Sequence, residues 1–82
     1  MRIAFDELIP DGDEVVRVRL AWSRMEADLV GAVLEANGFD YAEEQAHDGW
    51  AIYTSRSDAP AVLSLLERTA LDRSESIYNA GL

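Results

Sequence analysis

The stretch "EVVRVRLAW", residues 14–22, decides how this chain is expected to fold. Val16, Val18, Leu20 and Trp22 alternate with Arg17, Arg19 and Ala21, the period of two that a strand shows when one face lies on a core. On this reading the four larger apolar side chains point inward, and Arg17 and Arg19 point together out of the sheet. Upstream, Ile3 and Phe5 alternate with Ala4 and Asp6 and predict a shorter strand. Between the two runs, Pro10-Asp11-Gly12 supplies the preset φ, the capping side chain and the left-handed residue of a turn. The first twenty-two residues therefore read as a hairpin.

Downstream, Ser23 followed three residues later by Glu26 forms a capping box, and Asn37-Gly38 supplies a left-handed stop, which brackets a helix. Projected at about 100° per residue, Met25, Leu29, Ala32, Val33 and Ala36 share its expected buried side, with Arg24, Asp28 and Glu35 on the solvated one. "FDYAEEQAHDGWAIYTS", residues 39–55, predicts two strands about the Asp-Gly hairpin signal His47-Asp48-Gly49. Phe39 and Tyr41 share one face of the first, and Trp50 and Ile52 one face of the second. A second helix is expected from about Asp58 to Leu71, with Pro60 in its first turn and Val62, Leu65, Leu66 and Thr69 inward. The tail, about 73–82, is expected to be loosely ordered, with Ile77 and Tyr78 covering Leu71.

The predicted order is strand, strand, helix, strand, strand, helix (ββαββα). A right-handed crossover places the fourth strand between the second and third, and the first pairs outside the second. The expectation is a single α+β domain over residues 1–82: a ferredoxin-like sandwich with a four-stranded antiparallel sheet and two helices on one face.

At 82 residues, with an apolar fraction of 49%, the chain has enough apolar side chains for one small core. Sixteen carboxylates stand against seven basic residues, all arginine, for a net charge of −9. That balance disfavours phosphate backbones and anionic lipid and favours basic partners, in association that salt weakens. Cysteine is absent, which removes disulfides and thiolate chemistry and is compatible with a reducing cytosol. "MRIAFDELIP" lacks the apolar core and cleavage site of a signal peptide, so a cytoplasmic location with no membrane role is expected.

Two segments, "VVRVRLAWSRMEADLVGAVLEANGF" and "WAIYTSRSDAPAVLSLL", resemble a family of small prokaryotic signal-transducing proteins over about residues 15–66. The likeness lies in the strand, short turn, "EA" near the helix start and "LE" before a Gly-hydrophobic exit, and then in the last strand and helix. It implies a βαββα core and a regulatory, non-enzymatic role; the alternative expectation for function is a small regulatory domain of this kind that acts as a dimer or by binding a small ligand. The acidic N-terminal hairpin and the tail depart from the family pattern.

No catalytic or cofactor motif emerges. Counted from Asp11 as a calcium loop, the fifth and sixth positions are Val15 and Val16, where a ligand and a glycine belong, so no metal site is expected. His47-Asp48 lies in a tight turn without an enclosing pocket, and no Gly-x-Ser-x-Gly or phosphate-binding glycine loop occurs. Arg17, Arg19 and Tyr53 would share the open sheet face. Asp6, Asp40 and Glu44, expected beside them, argue against RNA there and leave sheet-to-sheet dimerisation as that face's use.

What remains is the distribution of acids. Asp6, Glu7, Asp11, Asp13 and Glu14 cluster on the first hairpin, Asp40, Glu43, Glu44 and Asp48 about the second, and Asp28 with Glu35 on the first helix. Such charge also serves as a solubility device, and its concentration at hairpin tips is what favours docking, because a tip presents charge without the ordering cost of a flexible tail. Same-face strand residues recur every 6.5–7 Å or so, allowing a row of carboxylates to imitate phosphates. The sequence thus predicts a non-catalytic, cofactor-free inhibitor or regulator that docks on a basic surface, most sharply that of a nucleic-acid-binding protein. In size and charge it is of the type of phage-borne inhibitors such as anti-CRISPR proteins.

Overall fold

The computed structural model describes residues 1–8 and 14–69. Its elements are α1 (Phe5–Leu8), β1 (Val15–Ala21), α2 (Arg24–Ala36), β2 (Ala42–Ala46), β3 (Gly49–Ser55) and α3 (Ala59–Arg68). The sheet has three strands in the order β1-β3-β2, both pairings antiparallel. The expected four-stranded ββαββα arrangement is overturned at the N-terminus. Residues 5–8 wind into one helical turn, with the Glu7 and Leu8 N–H groups donating to the Ala4 carbonyl at 3.1 Å each. Met1 to Ile3 pair beside Tyr41 in parallel, at the β2 edge and not outside β1. An alternation of only two apolar residues fits a helical turn as well as a strand, and here the Phe5 ring meets the Tyr53 ring edge-on at 5.2 Å. The Pro10-Asp11-Gly12 turn, Leu71 and the tail lie outside the described residues.

Local signals set the other boundaries. Ser23 caps α2, its Oγ accepting from the Glu26 N–H at 3.1 Å, while the Glu26 carboxylate accepts from the Trp22 N–H at 3.2 Å. Gly38, at φ 79°, ends the helix. A two-residue turn, His47-Asp48, joins β2 to β3, and Pro60 sits in the first turn of α3.

The decisive irregularity lies in β1. Arg17 pairs with Tyr53, but Arg19 pairs with Ile52, so the register slips by one residue at Val18. A bulge of this kind inverts the side-chain parity of everything after it. Ile52 is fully buried against the helices, so Arg19 faces that side too, and Leu20, opposite Ala51, turns to the other face. The predicted inward set of Val16, Val18, Leu20 and Trp22 holds only for its first two members. Trp22 is 61% exposed.

The core joins Val18 and Ala21 of β1, Ile52 of β3 and Tyr41 to Ala27, Val30 and Leu34 of α2 and Val62, Leu65 and Leu66 of α3. Each fully buried aliphatic side chain there contributes about 1.5–3 kcal/mol. The buried stripe of α2 is Ala27, Val30, Gly31 and Leu34; of the predicted set only Val33 packs against the core, partly buried, while Met25, Leu29, Ala32 and Ala36 are exposed. Tyr41 explains Gly31, because a Cβ at that position would overlap the Tyr41 hydroxyl and lie 3.0 Å from its Cζ. No helix among the described residues is long and apolar enough to cross a membrane.

Candidate docking surface

The predicted acidic positions divide by exposure. Asp6 and Glu7 on α1, Glu14 before β1, Asp28 and Glu35 on α2, Asp40 and Glu44 flanking and within β2, and Asp48 at the hairpin tip are all exposed. Asp11 and Asp13 lie outside the described residues. Glu43 is the exception, with a side chain only 4% exposed. Its register opposite Ile52 puts it on the helix side of the sheet.

There Glu43 meets Arg24 through a two-pronged pair at 2.5 and 3.1 Å, and Arg2 approaches at 3.5 Å. Arg24 also donates to Asp28 Oδ1 at 3.0 and 2.7 Å, and its guanidinium lies 5.6 Å from the centre of the Trp50 ring. The hydrogen bonds to Glu43, and then those to Asp28, push the Arg24 pKa above its ordinary value. One arginine thus clamps α2 to β2. Burial, reinforced by the charges of Glu35 and Glu43, also raises the pKa of Tyr41 beneath this network.

Arg17, Arg19 and Tyr53 do not form one face. Arg17 is exposed opposite Tyr53, but the bulge carries Arg19 to the helix side, where its side chain is 12% exposed and its Nε lies 3.8 Å from Glu26 Oε2. Val18, Leu63, Leu66 and Glu67 line the cleft that Arg19 enters. Tyr53 is half-buried against Phe5 of α1, so the outer sheet face is not the flat open surface that alternation implied.

The structure also assembles a site the sequence reading missed. Trp22, Gln45, His47, Asp48 and Trp50 line a groove of about 340 Å³ where the end of β1 meets the β2–β3 hairpin. Both tryptophans read as inward strand residues in the sequence. The available signal was that each stands at a strand end, one ahead of the Ser23 cap and the other just after the Asp-Gly turn. Among the described residues no group of three or more His, Cys, Asp or Glu is placed to hold a metal ion. Compared with known proteins, the chain matches no family model, no curated protein and no solved structure.

Proposed function

We propose that this chain is a non-catalytic binding protein whose acidic surface docks on a basic partner, acting as an inhibitor or regulator at a nucleic-acid-binding site. The observation that supports this most is where the arginines go. Arg24 and Arg2 converge on Glu43, and Arg19 turns inward toward Glu26, so these three of the seven arginines are engaged by carboxylates within the molecule. The carboxylates of Asp6, Glu7, Glu35, Glu44 and Asp48 stay at the surface. With a net charge of −9, the outward field is negative and steers basic surfaces toward the protein. A regulatory domain dimerising through Arg17, Arg19 and Tyr53 is the weaker reading, because those residues point to different sides.

The test is recovery of partners on the immobilised chain at low and high salt, beside a variant carrying Glu44→Gln and Asp48→Asn. A basic nucleic-acid-binding protein, retained at low salt, released at high salt, weakened by the variant and displaced by DNA or RNA, is the expected result. Retention of a partner indifferent to salt and to neutralisation would remove the reading.

A further inference from the structure

The outward face of α2 carries a second apolar stripe. Projected at about 100° per residue, Met25, Leu29, Ala32 and Ala36 fall together about 180° from the buried Ala27, Val30, Gly31 and Leu34. All four are exposed, Met25 at 73% and Leu29 at 52%. A solvated helix face of a protein this acidic would ordinarily carry the charges, yet here Asp28 and Glu35 sit along one edge of the stripe. At its N-terminal end stands Trp22, which lines the groove shared with Trp50, His47 and Asp48.

We propose that the α2 stripe and the Trp22–Trp50 groove form one docking site for a basic amphipathic segment of a partner protein. Its apolar ridge would lie on Met25, Leu29, Ala32 and Ala36, and one of its cationic side chains would enter the groove beside Asp48. Three features select this occupant. Apolar area bordered along one edge by the carboxylates of Asp28 and Glu35 matches a helix with an apolar ridge and a basic flank. Tryptophan faces attract cations, as Arg24 already demonstrates at Trp50, and Asp48 adds the opposite charge at the groove wall. A second copy of this chain would bring another net charge of −9 against the same acidic border. The inference rests on the reading of a basic partner given above and adds where and how that partner is held.

The experiment uses the full chain and two labelled peptides of about 20 residues, one with a leucine ridge at i, i+3, i+4 and i+7 flanked by arginines, the other a scramble of it. The ridged peptide should bind at least about tenfold more tightly than the scramble. Leu29→Asp and Trp22→Ala should each remove about that factor; Trp22→Ala should leave the scramble's weak, salt-sensitive binding unchanged, and Leu29→Asp, which adds a carboxylate, should not weaken it. Equal binding of the two peptides would overturn this site and leave the acidic-docking reading standing. Binding of neither at low salt would remove both. Two further outcomes overturn the site by giving the stripe another occupant. One is a dimer in sedimentation that Leu29→Asp dissociates. The other is a melting temperature several degrees lower in that variant without any dimer, which would mean that the chain covers its own stripe.

Discussion

Arg17 and Arg19 are two residues apart in an alternating strand, and by sequence their truncations should be equivalent. The bulge makes them unequal. Arg19→Ala removes two methylene groups and a guanidinium from a side chain 12% exposed, in a cleft walled by Val18, Leu63 and Leu66. At about 0.8 kcal/mol per buried methylene, the packing loss is about 1.6 kcal/mol. The missing pair with Glu26 and the relieved desolvation of the guanidinium act in opposite directions, leaving a net destabilisation of about 1–2 kcal/mol. For a domain this small that corresponds to a melting temperature about 5–15 °C lower, whereas Arg17→Ala, at an exposed position, should stay within about 0.5 kcal/mol. Arg19→Met retains an apolar stem of similar length and should recover most of the packing loss, while leaving Glu26 without this partner as Arg19→Ala does. Thermal and urea unfolding, followed by circular dichroism, read all three variants. Equal losses for Arg17→Ala and Arg19→Ala, or none for either, would return both arginines to one open face and refute the bulge.

Other expectations are as direct. Gly31→Ala gains about 1 kcal/mol of helix propensity but drives a methyl into the Tyr41 hydroxyl, an overpacking cost of about 1–3 kcal/mol, so chemical denaturation should show a net loss that Tyr41→Phe partly rescues. Because burial raises the Tyr41 pKa, the unfolded chain gives up this proton first as pH rises, so its contribution to stability is intact below the unfolded pKa of about 10 and lost above it. Alkaline melts of the wild type should therefore fall more steeply than those of Tyr41→Phe. Replacing Asp13 and Glu14 by Asn and Gln should change stability by less than about 0.5 kcal/mol while slowing association with a basic partner and flattening its salt dependence, read by stopped-flow. Millimolar calcium should leave the melting temperature unchanged; a rise of several degrees would show binding to the folded state and revive a metal site.

Chemistry complete within a few neighbouring residues was legible in the sequence. Ser23 with Glu26, Asn37-Gly38, His47-Asp48-Gly49 and Pro60 each act on their own backbone, and the ends of α2, the hairpin and the start of α3 fall where those residues place them. The acidic balance, set by composition, was equally plain, as was the exposure of most of its carboxylates. What required tertiary structure was the choice among faces. α2 carries two apolar stripes on opposite sides, and only packing against β3 and α3 decides that Ala27, Val30, Gly31 and Leu34 go inward, with Gly31 chosen by the Tyr41 ring. The bulge at Val18 leaves no local mark, because register belongs to a pair of strands; it moves Arg19 to the helix side and Leu20 away from it. The N-terminal run, too short to specify a period, takes its form from the Tyr53 ring and the Tyr41 backbone. The Trp22–Trp50 groove stayed hidden for the same reason: it exists only where the end of one strand meets the turn of another hairpin, a juxtaposition made by pairing between residues about thirty positions apart.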